Sequence, residues 1–289
     1  MDKQIGDYRL IRPLSGMYGG YVYLAQNIRI ATQYVAIKFS FDPSSNGQNQ
    51  RFMQEIKIAA GLVHPNIVRV FDFDISPDLP FLVMEYAPYG SLYERHERGS
   101  QVPLSTVVQY VKQIASALQY VHDKNIIHSD IKPNNILIAS SGKLLLSDFS
   151  LATTLDLDDF GIMNGTAGTP RYIAPEKVRG HSEKASDQYS LAIMTYELLC
   201  GSCPFTEGDT ASILSQHCYR PVPPLQEKLP TIPPAVEETI IKALAKDPKE
   251  RFESVQSFAD ALEHASLLSG VGQQFGNYQL TKQLAKGSN

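Results

Sequence analysis

The chain has 289 residues, of which 43% are hydrophobic and 19% charged. That composition suits one large domain or two lobes and excludes a chain disordered throughout. A formal net charge of −4 offers no basic field, so nucleic acid is not expected as a partner.

The opening MDKQIGDYRL has no apolar leader core, and no apolar run approaches the ~18 residues that span a bilayer. A soluble chain without a membrane span is expected. Residues 8–86 read mainly as short strands, YRLIRPL, YVYLAQN, YVAIKFS, IVRVFDFDI and FLVMEY, separated by turns. One helix interrupts them over residues 49–63, where Phe52, Ile56, Ala59, Ala60 and Val63 recur at helical spacing and HPN stops the run. From Leu104 the balance reverses. LSTVVQYVKQIASALQYVHD sets Val107, Val108, Val111, Ile114, Ala115, Leu118 and Val121 on one stripe, the mark of a core-facing helix. Further helices are expected in SDQYSLAIMTYELLCG, AVEETIIKALAKD and SVQSFADALEHASLL, while PVPPLQEKLPTIPP is too rich in proline for a regular element.

These elements predict an α+β chain: a β-rich N-terminal half with one main helix, over about 8–86, and a helical half over about 92–268. The connector falls at about 85–91, and a short extension, 1–7, precedes the domain. The tail, 269–289, reads as a linker followed by an echo. Gly276, Tyr278, Leu280 and Leu284 match Gly6, Tyr8, Leu10 and Leu14 at a constant offset. Two readings stand, the first strand of a second, truncated copy and chance similarity in a tail.

Cys200, Cys203 and Cys218 are too few and too clustered for a secreted disulfide framework, and a reducing, cytoplasmic setting fits them. Cys200-Gly-Ser-Cys203 has C-x-x-C spacing, but it follows a helical run and has no second ligand pair. No redox or metal role is expected of the pair.

HSDIKPNN, residues 128–135, packs an acid, a cation and an amide into one loop: Asp130, Lys132 and Asn135. Elsewhere stand Val35-Ala36-Ile37-Lys38, Glu55 on the first helix, Asp148-Phe149 after an apolar strand, and Ala174-Pro175-Glu176. Alone, each is a weak signal, because a strand-end acid or a strand lysine is usually structural. In this order and together they resemble the pattern of the protein kinase family over residues 8–268. HPNIVRVFDF, GTPRYIAPE and a short activation segment are similar to bacterial members of the eukaryotic-like serine/threonine type.

The resemblance implies a two-lobed kinase fold, with ATP and Mg²⁺ as cofactors and Ser/Thr hydroxyls of proteins as acceptors. It implies Asp130 as the base, Lys132 and Lys38 as phosphate cations and Glu55 as the partner of Lys38, with Asn135 and Asp148 as metal ligands. Leu14, Ser15, Gly16 and Gly20 would cover the nucleotide, with Val22, Ala36 and Leu137 sandwiching its ring, Met84 as gatekeeper, and the Glu85 carbonyl and Ala87 backbone groups bonding the purine. Glu176 would pair with Arg251, Thr169 would bond the catalytic pair, and Asp187 would anchor the catalytic loop.

The chain also departs from the pattern. In Ser15-Gly16-Met17-Tyr18-Gly19-Gly20-Tyr21-Val22 only Gly20 falls on a motif glycine, so closure of backbone amides on phosphate depends on shifted glycines. Ser150 stands in place of the glycine after Asp148-Phe149, which favours one backbone state over free switching. Ser129 stands where many members carry arginine, the non-RD pattern, so no loop phosphate is expected to act through that position. These departures keep open an alternative, a pseudokinase acting as a nucleotide-binding or scaffolding module.

Overall fold

The computed structural model describes residues 4–16, 21–39, 46–74, 80–154, 169–268, 274–275 and 278–279. They fall into two compact units, one within 1–95 and 120–162, the other within 96–119 and 163–289.

The first unit is built on an antiparallel sheet of β1 (Gln4–Ile5), β2 (Tyr8–Gly16), β3 (Tyr21–Asn27), β4 (Tyr34–Phe39), β5 (Val70–Asp74) and β6 (Phe81–Glu85). The strand order is β1-β2-β3-β4-β6-β5. Period-two alternation gives the sheet two faces. Ala25, Val35, Ile37, Phe39 and Val83 form a buried cluster on one, with Ile5, Tyr8, Leu10, Tyr23 and Phe81 packed around it. On the other, the register sets Val22 and Leu82 opposite Lys38, and Met84 opposite Ala36. Helix α1 (Asn46–Ala59) packs on this second face, Phe52 and Ile56 against Leu82. Bulges in β2 fall at Leu10/Arg12 and Pro13/Ser15, where a proline without an N–H is tolerated.

The first helix ends four residues before the sequence pattern suggests. Beyond Ala59 the bonds tighten to Gly61 N→Ile58 O and Leu62 N→Ala59 O, and the 3.6-residue period lapses. Leu62 therefore turns inward, while Ala60 is exposed and Val63 is 74% exposed. Both were expected in the apolar stripe.

Helix α2 (Leu92–Arg95) follows the connector, and α3 (Leu104–Asp123) carries its seven stripe residues buried as expected. After α3 the chain turns at Asn125, in the left-handed region at φ 58°, a conformation that asparagine tolerates. Next come β7 (Ile126–Ile127), a 3₁₀ turn at Pro133–Asn135, β8 (Ile136–Ile138), β9 (Leu144–Leu146) and β10 (Thr153–Thr154). β8 pairs with β9, and β10 with β7. The connector is stitched to β8, Ile138 N donating to Gly90 O over 2.8 Å. Val68 and Leu146 join the sheet to β9 in the same way.

The second unit is helical: α4 (Pro175–Val178), α5 (Lys184–Cys200), α6 (Thr210–Tyr219), α7 (Pro234–Ala243) and α8 (Val255–Leu268). α5 is buried from Ser186 to Tyr196 without a break, so it is a central helix and shows no amphipathic stripe. It ends at Gly201, whose φ of 76° and close approach to Gly99 O, 2.5 Å from where a Cβ would sit, admit only glycine. α6 was not anticipated. Its signal was Asp209 before T-A-S, since the Asp209 carboxylate caps the helix by accepting from Ser212 N.

β11 (Gln274–Phe275) pairs with β12 (Tyr278–Gln279) in the register of the chain's opening. Gln274↔Gln279 and Phe275↔Tyr278 repeat Gln4↔Arg9 and Ile5↔Tyr8 at the offset of the sequence echo. Gly276, Leu280 and Leu284 lie outside the described residues. Among those described, the fold class is the expected α+β, and no helix is long and apolar enough to cross a membrane.

Candidate active site

Lys38 extends from the sheet face that receives α1. Its ammonium donates to Glu55 Oε1 at 2.7 Å and Oε2 at 2.8 Å, and to Asp148 Oδ1 at 2.9 Å, a residue 110 positions away. Alternation along β4 sets Lys38 on this face, and α1 brings Glu55 to it because Phe52 and Ile56 seat the helix on Leu82. Burial works against the Lys38 cation, but Glu55 and Asp148 outweigh it and hold the ammonium above its ordinary range. Burial likewise opposes the Asp148 carboxylate, and Lys38 first, then Ser150, hold it well below the usual range. Glu55 goes the other way, because burial pushes its carboxyl up further than Lys38 pulls it down.

A second cluster forms in the loop before β8. Lys132 Nζ reaches Asp130 Oδ2 at 2.5 Å, and Asn135 Nδ2 donates to the same oxygen at 2.9 Å and to Asp130 O at 2.8 Å. The 3₁₀ turn over Pro133–Asn135 folds Asn135 back on Asp130. Ser129, just before the acid, has φ 71° and is buried.

The two clusters are tied through buried groups. His128 Nε2 lies 3.0 Å from Ser147 O, and Asp130 N donates to His128 Nδ1 over 3.3 Å, which assigns the ring proton to Nε2. Ser147 Oγ donates to Asn135 O over 2.9 Å, and Phe149 meets His128 edge-on at 4.8 Å. Asp148 itself has φ 62°. Left-handed backbone at Ser129 and Asp148, flanking these ties, is strain held in place by its surroundings. Sequence reasoning missed Ser147, whose Oγ bonds Asn135 O, and Gln54, whose Nε2 donates to Ala152 O over 3.3 Å, both polar neighbours of residues it named.

The apolar candidates are also here. Val22, Ala36 and Met84 share the sheet face of Lys38, and Met84 and Leu137 pack on Val68, Ala139 and Leu145. Leu14 is half-buried at a bulge, and Ser15 and Gly16 pair with Val22 and Tyr21. Glu85 and Ala87 are half-buried in the connector. Gly20 lies outside the described residues, as does Gly168.

The model of the protein kinase domain family matches residues 15–265. The chain belongs to that family. Among relatives, this kinase domain is 36% identical over 254 residues to the serine/threonine-protein kinase PrkC of Bacillus subtilis, covering 87% of the chain and 39% of the relative. It is 34% identical over 274 residues to the serine/threonine-protein kinase Pkn1 of Myxococcus xanthus, with 90% and 38% covered. To the serine/threonine-protein kinase PknF of Mycobacterium tuberculosis it is 35% identical over 278 residues, with 92% and 57% covered. The chain thus spans less than two thirds of the length of these relatives.

The donor set suits magnesium. Asp148 offers a carboxylate held anionic, with a side chain 36% exposed, and Asn135, its Nδ2 committed to Asp130, offers Oδ1. Two hard oxygens match an ion that takes one or two protein ligands and completes its shell with phosphate and water. Among the described residues no cluster of three or more His, Cys, Asp or Glu could hold a metal ion.

One pairing that the family pattern implies lies in the second unit. Arg251 donates to Glu176 through Nη1 and Nη2, both at 2.8 Å. Asp187 and Thr169 are described, Asp187 buried on α5. All three cysteines are free and buried, and burial pushes the Cys200 thiol up to about 11, so thiolate is scarce at neutral pH.

Proposed function

We propose that the chain is an ATP- and magnesium-dependent protein serine/threonine kinase that transfers the γ-phosphate to Ser/Thr hydroxyls of protein substrates in the cytoplasm. The observation that carries this reading is Lys38 held at once by Glu55 and Asp148, an arrangement that fixes a cation and leaves an anion beside it partly open. Bound magnesium neutralises phosphate charge, and ATP supplies the phosphoryl group. Asp148 and Asn135 would hold the ion. Lys38, steadied by Glu55, would neutralise the α and β phosphates, and Lys132 the transferred group. Asp130 would take the proton of the attacking hydroxyl, kept in place by Asn135 and Lys132. Val22, Ala36, Met84 and Leu137 would wall the purine, the backbone of Glu85 and Ala87 would bond its edge, and Leu14, Ser15, Gly16 and Gly20 would cover the phosphates.

The names of the three relatives support the Ser/Thr preference, as does Lys132, which stands where serine/threonine members of the family carry lysine and tyrosine kinases commonly differ. The pseudokinase alternative draws no support from the site, because degenerate members usually lose one of the charged groups and all six side chains are present. The domain is proposed to run over 8–268 after an extension of 1–7, with 269–289 as a linker that opens a second copy. The matching hairpin registers at 4–9 and 274–279 favour that copy over chance.

Thermal unfolding with ATP, with and without magnesium, tests the proposal. ATP is expected to raise the midpoint only when magnesium is present, and Asp148→Asn to abolish the shift. An unshifted wild-type midpoint at millimolar ATP and magnesium would overturn it.

A further inference from the structure

The ladder of β8 and β9 pairs Ile138 with Leu144, Leu137 with Leu145 and Ile136 with Leu146, so the next rung falls on Asn135 and Ser147. That rung is made in an unusual way. Ser147 N donates to Asn135 O over 2.9 Å, but the return bond of an antiparallel pair is replaced, because the 3₁₀ turn over Pro133–Asn135 sends Asn135 N to Lys132 O at 3.0 Å. The Ser147 carbonyl is taken up instead by His128 Nε2 at 3.0 Å. The Ser147 hydroxyl then adds a bond of its own, Oγ donating to Asn135 O over 2.9 Å. One residue thus fills both lone pairs of the Asn135 carbonyl.

Both residues are buried, and a serine placed after Leu144-Leu145-Leu146 would cost desolvation if its hydroxyl had no partner. Asp148, the next residue, has φ 62°, so the chain leaves the strand there and the ladder stops. The two side chains assigned to the metal ion therefore sit at this last rung and one residue past it. We propose that Ser147 is a positioning residue whose hydroxyl fixes the spacing of Asn135 and Asp148, and so sets the affinity for magnesium without taking part in the chemical step. The metal rests on the kinase reading, whereas the doubled bond is a property of the chain without nucleotide.

Magnesium titration of the ATP-induced thermal shift, on the full chain, reads this spacing. Ser147→Ala removes the hydroxyl and leaves the backbone bond. It should raise the magnesium concentration at half of the full shift by about three- to tenfold, the range for one net hydrogen bond. The shift at saturating magnesium should match the wild type, and phosphate transfer should split in the same way, with a higher KM for magnesium and an unchanged kcat. Ser147→Thr keeps the hydroxyl and should restore the wild-type requirement. Thr239→Ala removes a hydroxyl bond from α7, 2.7 Å long to Ala235 O, and should leave the magnesium requirement unchanged whatever it does to stability. Without nucleotide, hydrogen exchange of the amide at position 147, relative to its intrinsic rate, should speed up in Ser147→Ala and not in Ser147→Thr. A wild-type magnesium requirement in Ser147→Ala, or one raised as much by Thr239→Ala, would overturn the proposal. Failure of the kinase reading would look different: the wild type would show no ATP-induced shift at any magnesium concentration, while amide exchange would still report the doubled bond.

Discussion

Among the described residues, the ion pairs of the first unit, around Lys38 and Lys132, and the Arg251–Glu176 pair of the second are finished differently. In the second unit Arg251 spends its donors on both Glu176 oxygens and on the carbonyls of Ala185 and Ala245, and Ser186 Oγ donates to Glu176 Oε1 over 2.8 Å. The Arg251 side chain is 0% exposed and that of Glu176 8%. In the first unit Asp148 is 36% exposed and Lys132 21%. Similar charges thus serve two ends. A closed cluster fixes the chain, while an open one, on the proposed reading, keeps capacity for phosphate and metal.

Opening the first cluster should abolish chemistry at modest expense in stability. Lys38→Met is expected to lower phosphate transfer at least a hundredfold, while the urea unfolding free energy falls by only about 1–3 kcal/mol. The loss is small because Glu55, whose carboxyl is already pushed up by burial, can take up a proton. The closed cluster should answer in the opposite way. Arg251→Ala strands the Glu176 carboxylate and is expected to lose about 3–5 kcal/mol in the same urea measurement, and the pair Glu176→Met with Arg251→Leu to recover most of it. A Lys38→Met loss as large as that of Arg251→Ala would erase the distinction.

A histidine sharpens the comparison from the closed side. His217 is fully buried, with Tyr189 Oη 3.0 Å from its Nδ1. Burial, then the nearby Lys246, brings its pKa down to about 3. The folded state holds the ring neutral while the unfolded chain protonates it below about 6.5, so stability is lost as pH falls from about 6.5 towards 3. The loss should amount to a few kcal/mol, and unfolding midpoints of His217→Gln should show a flatter profile over that window. At the small end, Val63→Lys should change stability by no more than about 0.5 kcal/mol, since this side chain faces solvent.

Much of this was legible in the sequence because distance along the chain does not blur spacing within a motif. Asp130, Lys132 and Asn135 announce one loop, and the seven-residue stripe of α3 announces one buried face. The failures are local. Ala60 and Val63 fit a helical period that ended at Ala59, because periodicity carries no information about where a tighter turn takes over. α6 was missed because its apolar residues are sparse, and only the Asp209 cap marked it. The bond of Gln54 to Ala152 O could not be read from spacing, since it depends on which way a single side chain points once α1 and the Asp148 segment are in place.

The most direct measurement follows a labelled γ-phosphate from ATP to Ser or Thr of a generic basic protein, comparing the wild type with Asp130→Asn at matched magnesium. The kinase reading expects labelled phosphoserine or phosphothreonine from the wild type, none after chelation of magnesium, and a loss of about a hundredfold or more in Asp130→Asn. Equal labelling by the two proteins, or a wild type that binds magnesium-ATP and transfers nothing, would contradict it.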